Sequence, residues 1–378
     1  MSLTKDEFYV LSDLYSGSLG RAACPAERER SRARHDPAVL RQLVERGLAE
    51  AETLTLTEAG LAALEPYRVK NAVILAAGAS PRFIPLSLER PKGLLEVKGE
   101  TLIERQIRQL QAAGVRDIVM VLGYKKEMFE YLAEKYGVRF VFNDAFNVKN
   151  NIESLWRVRD EIGASYICVS DSYFTENPFH EFEYESFYAG MTVDGPTGET
   201  FADTDEDGRI VRLARERDGG KMIYGHSYWQ PDFARDFFRL VEADRSVGKY
   251  NNLFWEWMLM ECLDEVESPL YFHEFDPDTI YEFDSFDDLR RFDPQYLAHS
   301  HSEIIRNIKL LFRCDEEDVV DFRNVKGGLT NTSFIFKING TDYIYRHPGD
   351  GTESIINRRN EKNTLILAKK LGLDPTYI

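Results

Sequence analysis

The stretch that decides the fold reads Asn71-Ala72-Val73-Ile74-Leu75-Ala76-Ala77-Gly78-Ala79-Ser80-Pro81-Arg82, and Pro91-Lys92 follows it closely. The run up to Leu75 predicts a short buried strand, and small residues then form a loop without bulky side chains. Such a loop lets backbone N–H groups approach phosphate oxygens closely, while Arg82 and Lys92 supply fixed positive charge. The stretch therefore predicts a triphosphate site. Its candidate nucleotide-binding residues are Leu75, Ala76, Ala77, Gly78, Ala79 and Ser80.

The spacing of this loop matches neither the P-loop nor the dinucleotide-binding glycine motif. It resembles the signature of nucleotidyltransferases, which join a nucleoside triphosphate to a phosphorylated substrate and release pyrophosphate. The resemblance implies that Arg82 and Lys92 are catalytic and contact the phosphates at the reacting centre. Pro81 stands where that family usually has Gly or Ser before the Arg, so the loop end is stiffer. The alternative is an ordinary strand and turn with a solvated Arg and Lys.

The composition limits the class of protein. The chain has 378 residues, of which 43% are hydrophobic, and a net charge of −17. This length allows two or three domains with a real core, and the acidic surface repels nucleic acid and anionic membrane. The cysteines are widely spaced, so neither structural zinc nor a disulfide framework is expected. With no apolar run near the length of a membrane span and no signal peptide, we expect a cytoplasmic protein without membrane contact.

Residues 1–68 predict a small helical unit. Thr4 caps a first helix, a second helix ends near Gly47, a short hairpin covers Leu48–Leu56, and Thr57 opens a third helix. This order resembles the winged helix-turn-helix of bacterial regulators. Although Arg28, Arg30, Arg32 and Arg34 lie near the recognition region, residues 1–70 carry a net charge of −1. Docking or formation of a homodimer is therefore favoured over DNA binding.

Residues 70–297 alternate predicted strands and helices. After the first strand come a helix at Leu102–Ala113, a strand at Ile118–Leu122 and a helix at Lys126–Lys135. The same alternation continues to a strand at Tyr166–Val169. It predicts an α/β domain with a mostly parallel, doubly wound sheet, flanked by the winged-helix unit and a third unit. Ligands of such sheets bind beyond the carboxyl ends of the strands.

Residues 303–378 predict a strand, a turn at Gly327-Gly328, two further strands and a helix over Asn357–Leu371. The pattern resembles the small α+β lobe of choline kinases and aminoglycoside phosphotransferases. The resemblance implies that Arg346 on the third strand pairs with Glu361 of the helix. The large lobe of those kinases is absent, so we expect a partial lobe without kinase activity.

A second motif refines the nucleotide. The stretch Asn150-Asn151-Ile152-Glu153-Ser154-Leu155, with Gly123 in Val121-Leu122-Gly123-Tyr124, resembles bacterial CTP:phosphocholine cytidylyltransferases. This resemblance extends from Asn71 to about Tyr296. It implies that Gly123, Asn151 and Ser154 bind the nucleotide and that the nucleotide is CTP. Simple helix capping is the alternative for Asn151 and Ser154.

The resemblance also implies a magnesium site. Asp171 directly follows a buried strand, at the place where the family's metal-binding Asp stands, and Mg²⁺ prefers one or two carboxylates plus substrate oxygens. Asn252 is the second implied ligand, although the phosphocholine enzymes carry Asp there. Glu256 and Asp284 are rival ligands.

An acceptor with a trimethylammonium group needs aromatic faces or a nearby carboxylate. We select Tyr173, Trp229 and Phe254 as candidate acceptor-binding residues. Thr200 stands where the phosphocholine enzymes carry Trp, so phosphoethanolamine and other small phosphorylated amines or alcohols stay open.

Together these residues predict an enzyme that transfers CMP from CTP to phosphocholine or a related small phosphorylated amine or alcohol. A sugar-phosphate nucleotidyltransferase with the same loop is one alternative. A DNA-binding regulator with a nucleotide-sensing domain is the other.

Overall fold

The computed structural model describes residues 3–20, 37–296, 301–325, 331–349, 352, 356–374 and 376. The arginines proposed for the recognition region and the Gly327-Gly328 turn lie outside these residues. Within the described ranges, no helix combines the length and the apolar character that a bilayer crossing requires.

The N-terminal residues form a small helical unit whose core reaches the neighbouring domain. Its helices are α1 (Lys5–Ser18), α2 (Pro37–Glu45) and α3 (Glu58–Leu64). The hydroxyl of Thr4 accepts the N–H of Glu7, so Thr4 caps α1 as predicted. The expected hairpin is reduced to one antiparallel bridge between Ala49 and Leu56. Phe182 of the central domain completes the core of this unit. The winged-helix identity stays a prediction.

The central domain is built on one large mixed sheet. Its strands are β1 (Asn71–Ala76), β4 (Ile118–Leu122), β5 (Arg139–Phe142), β6 (Ser165–Val169), β8 (Phe187–Pro196), β9 (Phe201–Thr204), β10 (Ile210–Ala214), β11 (Asp218–Trp229) and β12 (Tyr271–Glu274). The order β6-β1-β4-β5 is parallel throughout, as the sequence predicts. Strand β11 continues the sheet antiparallel to β6 and carries β8 and β9, an extension that the sequence did not predict.

Two small strand pairs and several helices complete the domain. The pairs are β2 (Glu96–Val97) with β3 (Glu100–Thr101), and β7 (Ser172–Phe174) with β13 (Ile280–Glu282). The helices are α4 (Leu86–Glu89), α5 (Leu102–Ala112), α6 (Tyr131–Tyr136), α7 (Asn151–Arg157), α8 (Pro231–Asp244), α9 (Trp255–Cys262) and α10 (Phe286–Phe292).

Strand β1 can lie at the centre of the sheet because its side chains are apolar, except for Asn71, whose side-chain amide is hydrogen-bonded. Ile74 faces a core shared with α5, whereas Val73 and Leu75 face a second core shared with α7 and α8. Asn71 tolerates burial since its amide bonds the Glu161 carbonyl and the Ser165 hydroxyl. Burial on both faces explains the continuous apolar run of this strand.

The C-terminal residues add a helix and a three-stranded antiparallel sheet. These are α11 (Glu303–Phe312), β14 (Val320–Val325), β15 (Asn331–Ile338), β16 (Thr341–Pro348) and α12 (Arg358–Lys370). One buried cluster joins Ile304 and Ile308 of α11 to Phe334 of β15 and to Ile84 of the central domain. The strands of this segment therefore pack against both α11 and the central domain. Arg346 and Glu361 form the predicted ion pair at 3.0 Å. The kinase-like identity of the unit stays a prediction.

We expect Gly190→Ala to destabilise the central domain by about 3 kcal/mol or more, because the added methyl group would clash with backbone atoms that cannot move aside. A Cβ at Gly190 of β8 would lie 2.2 Å from the Met222 carbonyl oxygen and 2.3 Å from the Phe272 ring. Urea unfolding measures the change in the free energy of unfolding. Gly17→Ala in α1, where a Cβ meets nothing within 4 Å, is the matched control and leaves stability unchanged or slightly higher. Equal midpoints for the two variants would contradict this packing.

Candidate active site

A cleft of about 650 Å³ opens at the carboxyl ends of β1 and β6 and runs along the antiparallel extension. Gly78, Ala79, Ser80, Arg82, Lys92 and Asp171 form one part of its lining, called here the first end. Tyr188, Glu199, Tyr224, Glu256, Trp257 and Glu282 form the other part, called the far end, which meets the first where Glu282 lies near Asp171. A smaller pocket of about 190 Å³ adjoins the first end. Leu75, Ala76, Ala77, Asn151 and Ser154 line it. The residues selected for the nucleotide therefore gather in one place, with one exception.

Gly123 is the exception, because it lies behind the loop rather than on the cleft surface. A Cβ on Gly123 would come within 2.7 Å of the Ala77 carbonyl oxygen and 2.8 Å of the Phe146 side chain. The next residue, Tyr124, donates its backbone N–H to the same Ala77 carbonyl. Gly123 is thus a packing requirement that lets the end of β4 support the loop after β1.

The loop after β1 turns sharply at Ser80. Ser80 has φ +47° and ψ +59°, the left-handed conformation, and Pro81–Phe83 then form one turn of 3-10 helix. The turn leaves the Arg82 side chain 71% exposed, with its guanidinium 3.0 Å from a carboxylate oxygen of Asp284. Because its side chain is so exposed, Arg82 is free to exchange this partner for a phosphate.

Lys92 is placed quite differently, since its residue is only 7% exposed. The Lys92 Nζ lies 2.5 Å from the Asp171 Oδ2 and 4.9 Å from the centroid of the Phe83 ring. Close packing of Gly93 on Ser170 brings the two chain segments together, for a Cβ there would lie 2.9 Å from the Ser170 Cβ. The predicted catalytic lysine and the predicted metal ligand are therefore direct neighbours.

The smaller pocket is closed by polar side chains at the start of α7. Asn143 donates its amide N–H to the Ser154 hydroxyl at 2.9 Å, and both residues are buried. Asn150, rather than Asn151, caps α7 with its side chain. The side-chain amide oxygen Oδ1 of Asn151 instead accepts the backbone N–H of Trp255 at 2.8 Å, which joins the starts of α7 and α9.

Glu153 holds the cationic groups beside this pocket. Its buried carboxylate pairs with Lys149 at 2.9 Å, Arg157 at 2.9 Å and Arg245 at 3.2 Å. Burial opposes ionisation of Glu153, but the hydrogen bonds from Lys149 and Arg157 outweigh it and lower the pKa. Lys149 also lines the pocket, so Glu153 fixes a positive charge at its edge.

The far end of the cleft concentrates carboxyl groups. Burial raises the pKa of Glu256 to about 7, although its Oε1 accepts a hydrogen bond from the Tyr188 hydroxyl at 2.9 Å. Burial also raises the pKa of Glu199, with a smaller contribution from nearby Asp284. Burial and then the charge of Asp171 raise the pKa of Glu282 well above its usual range. Ionisation of these carboxyl groups is therefore opposed in the cleft, and a cation bound beside them would favour it.

Sequence reasoning missed Glu282 and Glu199 as cleft residues. Glu282 of β13 pairs in register with Ser172 of β7, which directly follows Asp171. Glu282 lies two residues before Asp284, so the motif around Asp284 was the available signal. Glu199 precedes β9, part of the extension that the sequence did not predict, and the available signal was the family match at its neighbour Thr200.

The structure corrects three selections. Trp229 is fully buried, with its ring packed on Phe233 and Trp255, so it does not reach the cleft. Tyr173 is 8% exposed and packs under Arg105 in another core. Both side chains lie at strand positions that face the core, so they pack inside the domain.

Asn252, the second implied metal ligand, is the third correction. It is exposed and does not line the cleft, and its backbone carbonyl accepts the side-chain N–H of Asn150 at 3.3 Å. The turn before α9 instead brings Phe254, the remaining aromatic selection, and Glu256 to the cleft wall.

Comparison with known proteins identifies the fold and the chemistry. Residues 72–171 match the family of the MobA-like NTP transferase domain. The chain is 34% identical to choline-phosphate cytidylyltransferase of Streptococcus pneumoniae over 221 residues, which cover 58% of this chain and 96% of the relative. It is 35% identical to 2-aminoethylphosphonate cytidylyltransferase of Lancefieldella rimae, over 60% of this chain and 93% of the relative.

A solved structure agrees with the sequence relatives. CTP:phosphocholine cytidylyltransferase from Streptococcus pneumoniae superposes with a TM-score of 0.58 at 35% identity, covering 60% of this chain and 98% of its own. Because this agreement spans nearly the whole length of these relatives, the chain belongs to the cytidylyltransferase family of nucleotidyltransferases, enzymes that transfer CMP from CTP.

Proposed function

We propose that the acceptor of the CMP group is a small phosphorylated molecule that carries a cationic amino group, with phosphocholine as the first candidate. The observation that carries this proposal is the far end of the cleft, where Glu199, Glu256 and Glu282 converge. Arg82 and Arg215 act on Glu199, and Lys92 acts on Glu282, yet the pKa of both carboxyl groups stays raised, so a bound cation would favour their ionised form. The named substrates of the relatives, choline phosphate and 2-aminoethylphosphonate, both carry such a cation.

Aromatic faces support the same acceptor class. Tyr188, Tyr224, Phe254 and Trp257 line the cleft near the carboxyl groups. Tyr188 is held in place by its stack on Trp255, with ring centroids 5.0 Å apart. A trimethylammonium group gains attraction from aromatic faces and from carboxylates without needing hydrogen bonds. Thr200 also lines this end and offers a hydroxyl, which suits a primary amine.

The proposed reaction is a direct in-line transfer between the two bound substrates. An oxygen of the acceptor phosphate attacks the α-phosphorus of CTP in line, one new P–O bond forms, and the bond to the β-phosphate oxygen breaks. Pyrophosphate leaves with the electron pair of that bond. Acceptor and nucleotide are both anionic, so the work of the protein is to neutralise and align them. Lys92 and Arg82 supply the positive charge at the junction.

Asp171 and Glu282 are the residues that fit a magnesium ion. Both line the cleft, and Asp171 raises the pKa of Glu282, which places the two carboxyl groups close together. Among the described residues no group of three His, Cys, Asp or Glu can hold a metal unaided. Magnesium commonly takes one or two carboxylates and completes its shell with phosphate oxygens and water. When bound it would neutralise charge on the phosphates.

The two alternatives fit the cleft less well. A sugar phosphate presents hydroxyl groups and no cation, so the carboxyl groups at the far end would keep their unfavourable burial. A DNA-binding regulator would need a basic N-terminal unit, but residues 1–70 have a net charge of −1. Docking or dimerisation remains our proposal for that unit.

A panel of substrates tests the acceptor class directly. We expect pyrophosphate release with CTP to be fastest with phosphocholine, phosphoethanolamine or 2-aminoethylphosphonate, and at least about 100-fold slower with glucose 1-phosphate, since the cation contributes a few kcal/mol. ATP, GTP and UTP in place of CTP serve as the nucleotide controls. Faster release with the sugar phosphate would refute the proposed acceptor.

We expect Lys92→Ala to lower kcat by about 100-fold or more, because a charge-assisted contact to the reacting phosphates is lost. Pyrophosphate release measures kcat, and circular dichroism confirms the fold. Lys135→Ala is the control, since Lys135 makes an exposed ion pair with Glu104 at 2.7 Å away from the cleft. A folded Lys92→Ala protein with near-normal turnover would remove Lys92 from the mechanism.

The KM for the cationic acceptor should fall as the pH rises through about 7, because the Glu256 carboxyl, whose pKa burial raises to about 7, gains its negative charge there. The acceptor phosphate also titrates near this range, so the wild-type profile alone does not suffice. Glu256→Gln separates the two, since only the phosphate contribution survives in that variant. Identical pH profiles for the two proteins would contradict a role for Glu256 in holding the cation.

A further inference from the structure

We propose that the C-terminal unit, α11 with β14–β16, positions the Arg82 turn for the triphosphate, with Phe322 as the positioning residue. This inference rests on the phosphate-binding role proposed above for Arg82. It gives the C-terminal unit a role in CMP transfer. The sequence of this unit resembles the small lobe of kinases, but no kinase activity is assigned to it.

The turn that carries Arg82 is anchored through its next two residues. Phe83 is 1% exposed and belongs to a cluster with Phe286 and Ile305. Ile84 is 4% exposed and belongs to a second cluster with Ile308 and Phe334. Since Ile305, Ile308 and Phe334 all come from the C-terminal unit, that unit supplies part of the surface on which the turn rests.

Polar contacts fix the same interface. The carboxylate of Glu89, at the end of α4, accepts the backbone N–H of Ile304 in the first turn of α11 at 2.9 Å. Arg290 of α10 donates to the carbonyl oxygens of Val319 at 3.1 Å and Glu316 at 3.2 Å, just before β14. These bonds hold α11 and β14 at fixed places beside the segment between Arg82 and Lys92.

Phe322 connects both partners of the Arg82–Asp284 ion pair. Its ring packs against both clusters, with its centroid 5.4 Å from the Phe286 ring and 6.0 Å from the Phe334 ring. Strand β14, which carries Phe322, contacts the Pro81–Phe83 turn that carries Arg82, and Phe83 shares with Phe322 the cluster around Phe286. Phe286 begins α10, two residues after Asp284. A shift at Phe322 therefore moves either side of the pair.

Arg82 depends on this support because its own side chain makes few contacts that could hold it in place. The Arg82 side chain is 71% exposed and forms an ion pair with Asp284. The position of its guanidinium therefore depends mainly on the position of the backbone turn. Close-packed clusters transmit small shifts to the residues they carry. The streptococcal relative is matched over 96% of its length by 221 residues, so this support is an addition to the shared enzyme.

Phe322→Ala tests the proposal in the full-length enzyme. We expect the KM for CTP to rise at least about five-fold with a smaller change in kcat, the size typical of a coupling between packed groups. Phe322→Leu, which keeps most of the apolar contact, should recover most of the wild-type KM. Hydrogen exchange of residues 81–89 should quicken in the Ala variant. Ile344→Ala is the matched control, since Ile344 is 69% exposed on β16 of the same unit.

A double-mutant cycle separates positioning from general loss of stability. If Phe322 acts through Arg82, then Phe322→Ala adds no further rise in KM for CTP once Arg82→Ala is present. A rise that is fully additive, or an unchanged KM with only a smaller active fraction, overturns the proposal. An unchanged KM in Arg82→Ala alone would refute the phosphate role of Arg82 and this inference with it. If Phe322→Ala does not fold, Phe322→Val, which loses the ring but stays apolar, is measured in the same cycle and decides by the same criteria.

Discussion

The ion pair between Lys92 and Asp171 is the constraint on which the rest of the site depends. It joins the segment after β1 to the end of β6 at 2.5 Å, in a position where Lys92 is nearly buried. Neither charge could be buried alone, since an unpaired ion in such a place costs several kcal/mol. The pair thus keeps two opposite charges at the centre of the cleft. Lys92 can attract an arriving triphosphate, and Asp171 can attract a cation.

Cationic and acidic side chains meet in the cleft. Glu282 lies near Asp171 and Lys92, and Glu199 lies near Asp284 and Arg82. In our proposal the ammonium group of the acceptor meets the carboxyl groups while its phosphate meets Lys92. Alignment of this kind needs no covalent intermediate, which agrees with a direct transfer.

Local sequence patterns predicted the part of the site that is formed by residues close together in the sequence. The apolar run, the small-residue loop and the spacing to Lys92 lie within one strand, loop and turn, and β1, β4 and β6 appear nearly where their patterns placed them. The far half depends on β8, β9, β11 and β13, whose partners are distant in sequence. Burial of Trp229 and Tyr173 follows from which face of a strand meets the core, and a choice by residue type alone cannot fix that. Glu282 enters the cleft through its register with Ser172, for the same reason.

The C-terminal unit packs on the central domain next to the Arg82 turn, and in our proposal it acts on the reaction without touching the substrate. Its buried cluster takes Ile84 from the central domain, and its helix α11 is held by Glu89, so its own folding uses residues of the phosphate-binding segment. A unit of this size buries little apolar surface by itself, and sharing a cluster gives it stability. The same sharing constrains the turn at Arg82 in return, because a packed interface restricts both of its sides. Stability of the added unit and order in the loop are then two consequences of one set of contacts.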